Sequence, residues 1–158
     1  MAVLARLHQF LVKNNVSYTH HVHPTVYTAR EVATIEHLSE HRVAKTVVFS
    51  GDEGYGMAVL PADYVVEMLE LRAAIGLSRV RLATEKEIAE LFPDCELGAM
   101  PPFGNLYNLE TYLESGLADE EKIAFNAGTH RDVVYLRMDD YKRLVRPAIV
   151  HFSRLVAV

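Results

Sequence analysis

The chain has 158 residues, half of them apolar and 23% charged, enough to bury one core without staples and ordinary for a globular protein. No apolar run approaches the roughly 18–20 residues of a membrane span, so a membrane partner is excluded at this level. Cys95 is the only cysteine, which rules out an internal disulfide and points to a cytoplasmic setting. The net charge of −5 is uneven. Residues 85–121 hold ten acidic side chains against Lys86 alone, whereas residues 137–158 hold Arg137, Lys142, Arg143, Arg146 and Arg154 against Asp139 and Asp140. A solvated asymmetric surface explains this, and a basic end that meets phosphate explains it as well.

Along the chain, residues 2–14 predict an amphipathic helix, with Val3, Leu4, Leu7, Phe10 and Leu11 on one stripe. "SYTHHVH" predicts a short strand ending at Pro24. Thr28 and Glu31 form a capping-box pair that opens a helix reaching about Leu38. "AKTVVFS" and "YGMAVLP" read as strands joined by the turn residues "GDEG", a hairpin. Asp63 is positioned to cap a helix through Val65, Val66, Met68, Leu69 and Leu71 that stops at Gly76. "RVRLA" is a brief strand, and Thr84 with Glu87 caps the helix "EIAELF". "LYNLETYL", "KIAFNAG", "DVVYLRM" and "AIVHFS" all look extended, with "DDYKRLV" a short helix between the last two. No repeat or linker divides the chain. These elements predict one α/β (α+β) domain over residues 1–158, a curved, barrel-like mixed sheet flanked by helices.

Lys45 opens the apolar run "KTVVF" at a position where the pattern predicts burial. A lysine snorkelling from a strand end accounts for it. So does an ammonium at a pocket rim, holding a carbonyl or phosphate oxygen. His20, His21 and His23 lack any neighbouring cysteine or carboxylate in a ligand pattern, so no metal is assigned. Neither a nucleophile elbow nor a phosphate loop occurs, and no cofactor is expected. In "GAMPPFGN", Pro101 and Pro102 fix φ, while Gly98 and Gly104 allow a path closed to other residues. Such a loop is either a stiff connector or a wall that aims main-chain groups at a ligand. "NAGTHRD" places Asn126, Gly128, Thr129 and His130 at a strand end, where a hairpin turn explains "NAG" equally well and His130 is the less expected residue.

Taken together and in order, His23-Pro24, Thr28-Ala29, "KTVVF", "GAMPPFG" and "AGTH" resemble the YbaK/prolyl-tRNA-synthetase-associated editing domain family. The resemblance runs from about residue 3 to about residue 154. One departure is visible: the strand after the proline loop usually reaches an aspartate, and the nearest position here is Glu114.

The resemblance implies a mixed α/β domain around a curved sheet. It also implies a free-standing hydrolase that cleaves the ester of mischarged tRNA carrying a small amino acid. Alanine is the first expectation, with cysteine or serine next. Lys45 would orient the substrate, Gly98, Pro101, Pro102, Gly104, Gly128, Thr129 and His130 would form its binding site, and a substrate hydroxyl would help position the water. Mischarged tRNA and a synthetase are the implied partners, and DNA is not among them. A non-catalytic module for tRNA ends or a synthetase surface is the rival expectation, and a histidine-based metallohydrolase is a third.

Overall fold

The computed structural model describes residues 3–156. The first helix, α1, spans Ala5–Lys13 and buries Leu7 and Leu11 completely. It starts later than the apolar stripe suggests: Leu4 is its N-cap, with a non-helical ψ of 122°, and donates its N–H to Ala127 O (3.0 Å). Residue 2, where the helix is expected to begin, lies outside the described residues. Strand β1 is Thr19–Val22, and α2 is Ala29–Ile35. The capping box at α2 is complete: Glu31 N donates to Thr28 Oγ1 (3.1 Å), and Thr28 N donates to Glu31 Oε1 (3.0 Å). The helix stops short of Leu38, with His37 already at φ +58°.

Strands β2 (Ala44–Gly51) and β3 (Gly54–Pro61) form the hairpin, closed by the pair Gly51 and Gly54. The helix expected from Asp63 is replaced at its start by strand β4, Tyr64–Val66, and α3 runs only from Met68 to Ile75. The aromatic and β-branched run Tyr64-Val65-Val66 suits a pleated surface, and its partner is the distant strand β10, Ser153–Leu155. Strand β5 (Arg81–Leu82) and helix α4 (Glu85–Leu91, with its Thr84/Glu87 box) follow. "LYNLETYL" is only half extended: Gly104–Tyr107 is a 3-10 turn, Asn108 takes φ +59°, and β6 is Glu110–Glu114. Then come α5 (Ser115–Ala118), β7 (Lys122–Asn126), β8 (Asp132–Arg137) and α6 (Met138–Val145). "AIVHFS" breaks into β9 (Ala148–Val150) and β10, because the Glu114 carboxylate takes the N–H groups of Phe152 (3.0 Å) and Ser153 (2.8 Å).

The architecture is mixed α/β, with a five-stranded sheet in the order β5-β2-β3-β6-β9. Its β2–β3 and β2–β5 pairs are antiparallel, and its β3–β6 and β6–β9 pairs are parallel. A three-stranded antiparallel sheet, β1-β8-β7, and the β4–β10 pair complete it. Among the described residues no ladder closes these into a barrel; a single parallel bridge, Val43 to Ala124, ties β2 to β7. The central hairpin is buried on both faces, which is why its strands read as apolar runs. Val48, Met57 and Val59 pack with Leu7, Phe103, Phe125 and Tyr141, while Phe49, Ala58 and Leu60 pack with Leu71 and Phe152. A third, smaller cluster of Val32, Ala33, Val43, Ala62, Ala124 and Val133 seats α2 over the Val43–Ala124 bridge. Among the described residues no helix is long and apolar enough to cross a membrane.

Candidate active site

The proline loop and the glycine loop are stitched together by their backbones. Glu96 N donates to Gly128 O (2.8 Å), and Gly128 N donates to Ala99 O (2.9 Å). Both glycines take the left-handed region, Gly98 at φ +85° and Gly128 at φ +100°, where a side chain is strained. The loop residues then divide. Pro101, Pro102 and Gly104 turn into the core. Pro102 O accepts from the fully buried Tyr141 hydroxyl (2.6 Å), and Gly104 N donates to Thr111 Oγ1 (3.1 Å). A Cβ on Gly104 would lie 2.3 Å from that oxygen, so only glycine fits. Gly98 stays at the open surface, where a Cβ would meet the His130 ring at 3.4 Å.

His130 is held from three directions. Its main-chain N–H donates to Glu96 Oε1 (2.7 Å), and its carbonyl accepts from Val26 N (3.2 Å). Its Nε2 donates to Leu97 O (2.6 Å), which in the neutral ring leaves Nδ1 as a bare acceptor. That Nδ1 is buried and has no partner. Tyr27 covers the ring with centroids 5.1 Å apart. Thr129 points elsewhere: its hydroxyl donates to Asp132 Oδ2 (2.5 Å) and accepts from Arg131 N and Asp132 N, closing the turn. Gly128 faces Leu4.

Lys45 stands on β2 two residues beyond the Val43–Ala124 bridge, and Asn126 stands two residues beyond it on β7. Alternation puts both on the side of the small cluster beneath α2. Among the described residues no ladder joins the two strands beyond that bridge. Lys45 is half-buried, and its Nζ donates to Ala62 O at 3.3 Å. Burial, and secondarily the nearby Arg30 guanidinium, hold its pKa below the usual lysine value, against the opposing pull of Asp63 and Glu40. Asn126 Oδ1 is a second buried acceptor without a partner. Residues 26–30 span the two halves: Val26 and Tyr27 meet His130, and Arg30 lies beside Lys45 while pairing with Glu40 at 3.3 Å.

The structure therefore gathers Gly98, Gly128 and His130 into one wall, sets Lys45 on the neighbouring strand, and uses Pro101, Pro102, Gly104 and Thr129 as internal fastenings. Glu96, Tyr27 and Arg30 are the site neighbours that residue patterns did not single out, and Asn126 is placed by them at the strand end without a role. The three N-terminal histidines have separate partners. His20 Nε2 meets Asp132 (2.7 Å), His21 Nδ1 meets Glu36 (2.8 Å), and His23 Nδ1 donates to Pro24 O (2.8 Å). No group of three metal-binding side chains occurs among the described residues. The Cys95 thiol is pushed up to about 11 by burial, so it is a protonated group and a poor nucleophile.

An ammonium, two bare buried acceptors and a rigid main-chain wall suit an ester that is already reactive, where orientation matters more than a side-chain nucleophile. The model for the aminoacyl-tRNA editing domain matches residues 23–144, which includes Lys45, both loops and His130. The chain belongs to the aminoacyl-tRNA editing domain family. It is 30% identical over 154 residues to the multifunctional Ser/Thr-tRNA deacylase ProXp-y of Escherichia coli K12, covering 94% of this chain and 92% of that protein. It is also 31% identical over 81 residues to the proline–tRNA ligase of Thermosipho africanus, matching 14% of that enzyme's length. Among solved structures, one provisionally described as a trans-editing enzyme for prolyl-tRNA synthetase superposes with a TM-score of 0.81 at 21% identity, over 94% of this chain and 95% of that one. This editing-domain fold accounts for the mixed sheets, and the family match spans every residue of the site.

Proposed function

We propose that the protein is an aminoacyl-tRNA deacylase that hydrolyses, in trans, the ester of tRNA charged with the wrong small amino acid. What supports this is the half-buried ammonium of Lys45 on β2 and the unpartnered Asn126 Oδ1 on β7, each two residues beyond the Val43–Ala124 bridge and on the same side of it, all within the span of the editing-domain match. In this reading the Lys45 ammonium fixes the ester carbonyl or the terminal phosphate. Main-chain groups at Gly98 cradle the aminoacyl group, Gly128 pins that loop through its own N–H and C=O, and His130 bounds the side chain of the aminoacyl group. A ribose hydroxyl of the substrate helps position the attacking water. Pro101, Pro102, Gly104 and Thr129 keep the wall in place.

A second site of this kind answers a physical need. A synthetase pocket rejects a smaller amino acid by only about 1–3 kcal/mol per missing methylene. Alanine remains the first expected amino acid, with serine or cysteine next. The 30% identity to a protein named for Ser/Thr-tRNA, together with the bare acceptor on His130, keeps serine close behind. The kinship with a proline–tRNA ligase segment makes a synthetase the expected companion. The test is to incubate the protein with a panel of correctly and wrongly charged tRNAs and follow ester loss. Turnover of a mischarged species supports the reading. Binding without turnover of any member would make the protein a recognition module instead.

A further inference from the structure

Tyr27 is 70% exposed and is the one aromatic among the large apolar side chains that stand exposed in the described residues. A lone exposed tyrosine needs no explanation, but the backbone that carries this one is pinned on both sides. Its own N–H donates to Glu31 Oε1 (3.1 Å), the preceding Val26 N is held by His130 O, and the following Thr28 caps α2. The ring lies tilted against the His130 imidazole, and the residue is otherwise mostly open to solvent. From the preceding residue an open cleft of ≈ 370 Å³ runs along α2, lined by Val26, Arg30, Glu31, Thr34 and Ile35.

We infer that Tyr27 and this cleft receive the terminal nucleoside of the charged tRNA, the base lying against the tyrosine ring and the adjoining phosphate against Arg30. The inference rests on the deacylase reading and deepens it. Covalent geometry supplies the first reason. The ester is carried on the ribose of that nucleoside, so a wall that holds the aminoacyl group against His130 and Gly98 must place the base one sugar away. Tyr27 is one ring away from His130. The second reason is the surface itself: a fixed aromatic face with an apolar floor is the platform on which unpaired bases stack. Charge is the third. Arg30 and Lys45 stand close enough to disfavour each other, an arrangement that an anion between them relieves. Of the acidic groups facing them, Glu31 is occupied by the capping box and by Tyr27 N and Glu40 pairs with Arg30, while Asp63, 3.7 Å from His41, keeps a buried Oδ1 without a hydrogen-bond partner and is the negative charge beside which the phosphate must sit.

The experiment compares two small esters of alanine, one on the 3′-hydroxyl of adenosine and one on ethylene glycol, which has no base. The quantity read is the ratio of their kcat/KM values, so any shared loss from a resettled His130 cancels. Wild type is expected to prefer the adenosine ester by about 10-fold or more, the range that base–aromatic stacking supplies. Tyr27→Phe should keep that preference and Tyr27→Ala should bring it near unity, with circular dichroism checking that both fold. A preference unchanged in Tyr27→Ala would overturn the inference and leave the cleft facing something else, such as a synthetase surface. Equal wild-type hydrolysis of both esters would also overturn it while sparing the deacylase reading. Hydrolysis of neither ester and of no charged tRNA would remove both.

Discussion

Lys45 has three donors and one protein acceptor, Ala62 O, so most of its hydrogen-bonding capacity is left for a ligand. Lys45→Ala is expected to lower single-turnover ester hydrolysis by about 100-fold or more, the scale of removing one preorganised charged donor, with an unchanged circular dichroism spectrum. A near wild-type rate in the folded variant would remove the lysine from the mechanism. Because burial lowers its pKa, the ammonium is lost at a lower pH than for an ordinary lysine, and the alkaline fall in rate should begin correspondingly early. Gly98 is a different kind of residue, valuable for its backbone. Alanine there costs about 1–2 kcal/mol of left-handed strain and sets a Cβ 3.4 Å from His130. Gly98→Ala should therefore lose on the order of 100-fold in rate with a melting temperature reduced by a few degrees. Gly76→Ala is the control: φ is +81°, nothing lies within 4 Å of the added Cβ, and it should lose similar stability at full activity. Equal rates in the two variants would make the proline loop a connector only. Both glycines and His130 stand out in the sequence because their types are unusual for their places. Tyr27 does not, and Asn126 reads only as a strand-end residue, since an unpartnered acceptor and an exposed ring against His130 exist only once the chain is folded.

At the scale of elements, one buried carboxylate, that of Glu114, organises the C-terminal corner. It lies at the end of β6, is 1% exposed, and accepts from Phe152 N, Ser153 N, the Ser153 and Ser115 hydroxyls and His151. Burial works to raise its pKa, but these hydrogen bonds outweigh it and bring the group down to about 2. A depressed carboxylate contributes stability that is present above its unfolded pKa near 4.5 and is lost as pH falls from there toward 2. The contribution is up to about 3 kcal/mol by linkage. Glu114→Gln should lower stability near neutral pH by about 1–3 kcal/mol and flatten the acid limb of a urea-denaturation series between pH 5 and 2. An acid limb identical to wild type would mean that other carboxylates govern it. The same corner shows why some elements were legible and others were not. The capping boxes at Thr28 and Thr84 lie within four residues of sequence, and both formed where the pattern placed them. The split of "AIVHFS" depends on a carboxylate 38 and 39 positions away. The strand Tyr64–Val66 depends on a partner near the C-terminus, so local pattern favoured a helix there. Mixed α/β character survived these local errors because it rests on the long, doubly buried hairpin β2–β3, whose apolar runs are unambiguous.

For the molecule as a whole, the question is how an acidic protein holds an anionic substrate. The basic stretch near the C-terminus is the natural candidate, yet much of its charge is answered within the chain. Arg137 lies 3.8 Å from Asp139, Arg143 lies 3.3 Å from Asp140, and Arg154 pairs with Glu67. Lys142 and Arg146 remain without an ion pair among the described residues. These exposed pairs are individually weak, so a phosphate can displace a carboxylate, but each exchange returns little net attraction. Elsewhere Arg30 is shared with Glu40, and Lys45 is half-buried with its Nζ donating to Ala62 O. Few phosphates can be neutralised by such a surface, and affinity must come from the aminoacyl end and the terminal nucleoside. The affinity for charged tRNA is thus expected to fall with salt along a shallow logarithmic slope, reflecting about two to four phosphates. Removing the aminoacyl group should weaken binding more than raising the salt does. Titrations of charged and uncharged tRNA across a series of salt concentrations measure both effects. A slope corresponding to six or more phosphates, or equal affinity for the two forms, would mean that the body of the tRNA, not its charged end, is what the protein holds.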